Sequence, residues 1–262
     1  MSLATPSLLN KCLRRGLSIF IGLGIGLFSS CQIQNEIPFT GATFNLRFSA
    51  DTVYFDTVFT ELTTTTQRLK VYNDYDGLIT IGQIQMAQEN SPFRLTVNGF
   101  AANSFENISI LGGDSLLVLL EAEIDAQNQD NPFVVEDDIQ FTTDDNSQKV
   151  PVVAWGQDAN YLRDSVLQCN TTWTAGKPYV VYDNILVDSL CSLIIEPGAR
   201  IYAHANANIY IKGQLTVNGS ASERVIFTND RFDEPFVSAP GQWNGITFLV
   251  GSKGNSLSLI HI

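Results

Sequence analysis

Short extended segments bounded by turn residues recur along most of the chain, and they constrain its fold more than any other feature. Pairs such as Asp76-Gly77 and Asn98-Gly99 favour tight turns between segments rich in β-branched and aromatic side chains. No segment shows convincing helical periodicity, so the sequence predicts an all-β chain. The strands predicted in the first half are residues 51–55, 67–72, 78–81, 93–97, 107–110, 115–124, 138–143 and 148–155.

Strands with such regular turns predict a β-sandwich of about 110 residues. Residues 69–73 form a strand ending in Asn, Gly113-Asp114-Ser115 lead into an apolar strand, and residues 150–156 close the module. In this order the segments resemble the Hydin-type immunoglobulin-like domains of extracytoplasmic bacterial proteins, over residues 42–158. The resemblance implies a spacer or a binding surface.

From about residue 164 the strands become shorter and the corners more frequent. Pieces too short for a stable hairpin alternate with Gly or Asn, which fits a solenoid whose coils stack on one another. The Glu196-Pro197-Gly198 segment suits a corner, because Pro fixes φ near about −65° and Gly accepts a positive φ. The series resembles the opening coils of right-handed parallel β-helix proteins and implies that fold over residues 164–262. It consists of residues 171–173, 177–181, 193–201, 213–219, 225–228 and 243–246.

Residues 257–262 form an apolar strand at the end of the sequence. A stacked solenoid needs a polar cap or a covered edge. We therefore expect an incomplete β-helix that continues in a longer protein, and an edge completed by a partner is the alternative.

The first 31 residues have the organisation of an export signal. Three basic residues precede an apolar run at residues 17–28, which ends just before Cys31. The run is about a dozen residues, too short for the roughly 20 that span a bilayer. It resembles a bacterial lipoprotein signal, which implies a signal peptide at residues 1–30, a lipid on Cys31 and a tether at residues 31–41. The alternative is an ordinary secretory signal that contains Cys31.

The lipoprotein resemblance implies a membrane partner and a place in the cell envelope. Gln32 after the cysteine favours the outer membrane, and whether the protein faces the cell surface stays open. A formal net charge of −12 argues against nucleic acid as a partner, since phosphates need Lys and Arg. No cofactor is expected, and no CxxC or His-rich spacing predicts a metal site.

Cys169 and Cys191 are the pair that remains once the N-terminal cysteines are assigned to the signal and the anchor. In an oxidising envelope such a pair forms a candidate disulfide. It would close a loop of about 22 residues and stabilise the fold by about 3 kcal/mol. Two buried thiols on neighbouring strands are the equally open alternative.

Parallel β-helices include polysaccharide lyases, whose chemistry needs clustered carboxylates and a base. None of the candidate residues shows a paired spacing on successive coils. We therefore predict no catalytic residues and a solvated loop at residues 230–234. Trp243 is a candidate for stacking on a sugar ring, with packing beneath the loop as the alternative. The charged residues considered are Glu196, Arg200, His204, Lys212, Asp230, Arg231, Asp233 and Glu234.

Five triplets have the form Asp, hydroxyl residue, aliphatic residue. They resemble the acceptor motif of a general O-glycosylation system in some Gram-negative anaerobes. Alternating strands and their preceding turns also produce such triplets, and the two explanations stay open. The candidate acceptors are Thr52, Thr57, Ser115, Ser165 and Ser189.

Together these features predict a lipid-anchored envelope protein in which a sandwich holds a β-helix away from the membrane. Non-catalytic binding or adhesion to a glycan or another surface polymer is the expected function. One alternative is a carbohydrate-active lyase or hydrolase whose active coils lie beyond residue 262. A structural component of the envelope is the other.

Overall fold

A computed structural model of the chain describes residues 37–40, 44–62, 66–144, 146–233 and 235–261. In these ranges the only helical element is the three-residue 3-10 helix Phe236–Ser238, so the predicted all-β class is confirmed. The predicted signal peptide and Cys31 lie outside the described residues, and no described helix has the length and apolarity to cross a membrane. The strands are β1 (Arg47–Phe48), β2 (Val53–Phe59), β3 (Gln67–Tyr72), β4 (Ile79–Met86), β5 (Phe93–Val97), β6 (Phe100–Ala102), β7 (Ser104–Ile110), β8 (Ser115–Ala122), β9 (Phe133–Thr142), β10 (Ser147–Gln157), β11 (Asn160–Val166), β12 (Thr171–Trp173), β13 (Tyr179–Val187), β14 (Ser192–Ile195), β15 (Arg200–Ala203), β16 (Asn208–Ile211), β17 (Gln214–Asn218), β18 (Val225–Asn229), β19 (Gly245–Phe248), β20 (Ser256–Ser258) and β21 (Ile260–His261).

Strands β1–β10 form two five-stranded sheets, which we call the two-sheet region. The strand orders are β1-β3-β8-β5-β6 and β2-β10-β9-β4-β7. The pairs are antiparallel except for β2 with β10, which run parallel. One apolar cluster fills this region, because alternate residues of each strand point inward, as Leu69 and Val71 do on either side of exposed Lys70.

The asparagine that follows β3 is a buried polar residue whose side chain is hydrogen-bonded to neighbouring backbone groups. The side-chain nitrogen of Asn73 donates hydrogen bonds to the carbonyl oxygens of Gly77 and Ile110, at 2.8 and 3.0 Å. Its side-chain oxygen accepts from the Tyr75 amide at 3.0 Å. These bonds hold the turn between β3 and β4 against the end of β7, and they remove the cost of burying the amide group.

Strands β11–β21 form the parallel region, in which every described strand pair is parallel. One sheet has the order β19-β16-β13-β15-β18-β21 with β11 added to β13, and the other has the order β12-β14-β17-β20. Residues paired in register across consecutive strands are called a rung here. The rung Tyr179, Ile201 and Phe227 places apolar side chains one above another, and a second apolar cluster fills the space between the sheets.

Two corners of the parallel region require glycine. Gly198 adopts φ +78°, which completes the corner predicted at Glu196-Pro197-Gly198. At Gly213 a Cβ atom would collide with the backbone oxygens of Asp188 and Cys191. Neighbouring stretches of backbone therefore approach each other more closely at this corner than any side chain would allow.

The two regions pack against each other where β10 passes into β11. The Tyr161 hydroxyl donates a hydrogen bond to the Thr60 carbonyl. Asp158, whose side chain is 3% exposed, accepts hydrogen bonds from the amides of Gln127 and Gln129 at 3.1 and 2.7 Å. Burial by itself would raise the pKa of Asp158, but these amide donors hold it below its usual value.

Candidate functional site

A cavity of about 310 Å³ lies between β2 and the outward side chains of the parallel region. We call it the junction cleft. The two-sheet region contributes Asp56, Thr57 and Phe59 to its lining. The parallel region contributes Tyr182, His204, Asp230, Arg231, Phe232 and Asp233.

Strand register brings the polar residues of one wall together. Val181 pairs with Ala203, and Ala203 pairs with Asn229. The residues that follow them, Tyr182, His204 and Asp230, therefore occupy one position on successive rungs. We call these three side chains the outer ladder.

The members of the outer ladder touch in sequence. The rings of Tyr182 and His204 have centroids 4.5 Å apart, and Nδ1 of His204 lies 2.6 Å from Oδ2 of Asp230. A carboxylate oxygen accepts hydrogen bonds, so Nδ1 of His204 is the donor in this contact, and Nε2 is the ring nitrogen that takes no part in it. The Arg163 guanidinium covers the Tyr182 ring at 4.8 Å from its centroid.

Burial differs sharply along the outer ladder. The Asp230 side chain is 11% exposed, whereas that of His204 is 48% exposed. Burial raises the pKa of Tyr182 to about 12, and the charge of Asp230 acts in the same direction. The Tyr182 hydroxyl is therefore a neutral hydrogen-bond donor at physiological pH.

The arginine that the described residues contribute to the cleft lining forms an ion pair with a neighbouring carboxylate. Arg231 donates from Nε and a terminal nitrogen to the two oxygens of Asp233, at 3.0 and 2.6 Å, and its guanidinium lies 3.5 Å from the centroid of the Phe236 ring. These hydrogen bonds hold the pKa of Asp233 below its usual value. Since Asp56 is exposed at the same cleft, carboxylates outnumber cations among the described residues of the lining.

The expectation that residues 230–234 form a solvated loop was wrong for Asp230, whose side chain is largely buried and contacts His204. His204 and Asp230 are 26 residues apart, a larger step than the one from Tyr182 to His204. Turn lengths between rungs vary, so a fixed spacing conceals the pairing. Aligning the ends of β13, β15 and β18 would have revealed it. Glu234 lies outside the described residues.

Trp243 lies apart from the junction cleft. It is half-buried against the apolar cluster of the parallel region, with its ring stacked at 6.4 Å from that of Phe227. This position agrees with the packing alternative. The structure joins Cys169 and Cys191 in a disulfide with Cα atoms 4.4 Å apart.

The five candidate glycosylation positions differ in accessibility. Ser115 and Ser189 are exposed, and the amide of each donates to the preceding aspartate at 2.7 Å. Thr52 and Thr57 are half-buried, and Thr57 lines the junction cleft. The Ser165 hydroxyl is buried without a hydrogen-bond partner among the described residues, so a glycosyl group could not reach it in this conformation. Glycosylation stays a prediction, and Ser115 and Ser189 suit it best.

No three His, Cys, Asp or Glu side chains converge on a metal-binding geometry anywhere in the described part of the chain. No protein-family model matches the chain, and no curated protein does.

Several solved structures show weak similarity. The E. coli chaperone DraB is 15% identical with a TM-score of 0.29, and the match covers 44% of this chain and 55% of DraB. A family 123 glycoside hydrolase from Clostridium perfringens is 7% identical with a TM-score of 0.31, covering 47% and 30%. A protein of unknown function from Porphyromonas gingivalis W83 is 14% identical with a TM-score of 0.29, covering 47% and 59%. The matches span less than two thirds of each of these chains, and similarity this low carries no argument about function.

Proposed function

We propose that this protein is a lipid-anchored envelope protein that binds a glycan or another surface polymer without changing it chemically. In this proposal the two-sheet region is a Hydin-type immunoglobulin-like sandwich, and the parallel region is a right-handed parallel β-helix. Two sheets around one core support the first assignment, and register between consecutive parallel strands supports the second. Cys31 would carry the lipid and hold the protein at the outer membrane.

The junction cleft is the observation that carries the binding proposal. Its volume of about 310 Å³ falls at the lower end of the range of ligand pockets. Half-buried Phe232 offers an apolar surface of the kind that packs against a sugar ring. Beside it, the carboxylates of Asp56 and Asp233 accept hydrogen bonds from sugar hydroxyls, and the Tyr182 hydroxyl donates one.

The charge of the cleft favours an uncharged glycan. Arg231 is neutralised by Asp233, and Nδ1 of His204 faces Asp230. A uronic acid entering the cleft would meet excess negative charge at short range. Neutral hexose polymers are therefore the expected ligands of this site.

Binding of neutral oligosaccharides, measured by isothermal titration calorimetry, tests the proposal. Asp56→Asn should weaken binding about tenfold, because a hydrogen bond to a charged acceptor contributes about 1.5–3 kcal/mol. Asp51→Asn removes the same charge at another exposed position outside the cleft lining and should leave the affinity unchanged. A wild-type protein that binds no neutral glycan, or equal affinities for the two variants, would refute the assignment.

The anchor has its own test. Cys31→Ser should move the protein from the membrane fraction to the soluble fraction of cells that express it, and should abolish incorporation of labelled fatty acid. Retention of the label in the variant would rule out Cys31 as the lipid site.

The pair of His204 and Asp230 favours a second candidate, a carbohydrate-active enzyme. A histidine whose Nδ1 is held by a buried carboxylate can accept a proton at Nε2, as a general base does. Incubation with polysaccharides would then release reducing ends or unsaturated products, and His204→Gln would abolish the release. Binding without products favours the first proposal.

A further inference from the structure

A second cavity, of about 360 Å³, lies at the start of the sheet formed by β12, β14, β17 and β20. Ser192 pairs with Gln214, and Asn170 directly precedes the residue that pairs with Leu193. These three polar side chains therefore occupy one position on successive rungs. With Lys212, Lys253 and Ser189 they form what we call the lysine pocket.

The lysine pocket is positive although the whole chain has a net charge of −12. Among the described residues, its lining holds two lysines and no carboxylate. Lys253 is exposed and forms no ion pair within the described ranges. Its ammonium group is therefore available to a ligand.

Lys212 forms an ion pair with Asp188, which is not among the lining residues of the pocket. Its Nζ lies 3.4 Å from Oδ1 of Asp188, and the same oxygen accepts the Ser189 amide at 2.7 Å. The Ser189 amide and the Lys212 ammonium hold the pKa of Asp188 below its usual value. An ammonium group has three donors, so Lys212 keeps hydrogen-bonding capacity for an additional anion.

The neutral groups of the pocket add further donors. The Ser192 hydroxyl donates to Oδ1 of Asn170 at 3.0 Å, which leaves the Asn170 amide nitrogen with its two N–H groups. Gln214 donates one N–H to the Gly254 carbonyl at 2.7 Å and retains a second. A concave surface with two ammonium groups and several amide donors matches a ligand that carries anionic oxygens among hydroxyl groups.

We propose that the lysine pocket binds an acidic sugar. Its anionic group, a carboxylate or a phosphate, would lie between Lys212 and Lys253, and the amides of Asn170 and Gln214 would bond the remaining sugar oxygens. Within the described part of the chain, this site shares no lining residue with the junction cleft, and it has the opposite charge. The acidic-sugar site therefore stands independently of the neutral-glycan proposal.

Calorimetry on the full chain at low salt tests the site with three probes: trigalacturonate, neutral galactotriose and a hexose phosphate. At least one anionic probe should bind about tenfold more tightly than galactotriose, with an affinity that falls as salt is added. Lys253→Gln should weaken that binding about tenfold. Lys70→Gln removes one exposed lysine from the two-sheet region and should change it less than about twofold.

The outcomes separate the sources of the anion and the two sites. Binding of trigalacturonate would identify the anionic group as a carboxylate, and binding of the hexose phosphate would identify it as a phosphate. Either result supports the proposal if Lys253→Gln weakens the binding. Equal affinity for anionic and neutral probes, or no effect of Lys253→Gln, overturns the proposal. Asp56→Asn in the junction cleft should leave anion binding intact, so failure of the neutral-glycan proposal would be seen separately.

Discussion

The two-sheet region and the parallel region reach stability in different ways. In the first, Val53 pairs with Val152 across almost the whole length of the region, so the sheets close only when distant segments meet. In the second, each strand pairs with strands one turn of the chain earlier or later. The first arrangement makes stability collective, whereas the second makes it close to a sum of neighbouring contacts.

The largest effect should come from the collective core. Phe141 is fully buried and packs on Phe48 at 4.9 Å between ring centroids. Phe141→Ala should lower the free energy of unfolding by about 3–5 kcal/mol, because it leaves a cavity among distant strands. Urea denaturation measures this change in the free energy of unfolding. The control is Phe100→Ala, at a position 75% exposed, which should lower that free energy by less than about 0.5 kcal/mol. A similar cost for both variants would contradict a shared core.

Loss of the disulfide should have a smaller effect and a local one. Replacing Cys169 and Cys191 together by alanine should cost about 3 kcal/mol, since the closed loop no longer limits the unfolded chain. Hydrogen exchange should accelerate in β12 and β14 while β3 and β8 remain protected. Equal acceleration in both regions would show that the parallel region is not stabilised locally.

A smaller effect is expected from a change at the contact between the two regions. Tyr161→Phe removes the hydroxyl that donates to the Thr60 carbonyl and should cost about 1 kcal/mol. Calorimetry should then show a broader transition, because the regions are less tightly coupled. Tyr54→Phe removes an exposed hydroxyl and serves as the control. An unchanged transition in Tyr161→Phe would mean that other contacts couple the regions.

Acid titration should give the smallest effect. The pKa of Asp158 is below its usual value in the folded protein, so the unfolded chain takes up the proton first as pH falls. Its stabilisation is complete above the ordinary carboxyl pKa of about 3.9 and is lost as pH falls through the folded pKa. Asp158→Asn should lower Tm by about 2 °C at pH 7, and the difference should shrink towards pH 3. A Tm difference that stays constant with pH would exclude the ionisation of Asp158 as the cause of the stabilisation.

Strand boundaries were predictable where turn chemistry marks both ends. β3 and β5 coincide with the predicted residues 67–72 and 93–97. β2 runs on to Phe59 because Asp56 faces outward and does not interrupt the strand. β9 begins at Phe133, before its predicted start, and includes Asp137, which is buried and accepts a hydrogen bond from the Gln88 amide at 3.2 Å. Charged residues inside strands are therefore poor markers of a boundary.

The candidate site was less predictable than the strands. His204 and Asp230 were both noted in the sequence, yet their contact depends on turn lengths that no local pattern encodes. The junction cleft also needs β2 beside the parallel region, which is a long-range property. The lysine pocket was missed because Lys212 and Lys253 are far apart in sequence and only the folding of the chain brings them to one cavity. The immunoglobulin-like and β-helix assignments, the anchor and the ligand stay proposals.

The parallel pairing of β2 with β10 has a mechanical consequence. β10 continues through Asp158 directly into the parallel region, while β2 lies near the N-terminal side of the two-sheet region. Tension that enters before β2 and leaves after β10 pulls the two strands past each other along their own axes. The ladder bonds on both sides of the register shift between Val153 and Trp155 then share the load, instead of opening one by one. The fold thus places a shear-resistant clamp on the path along which force would travel through the chain.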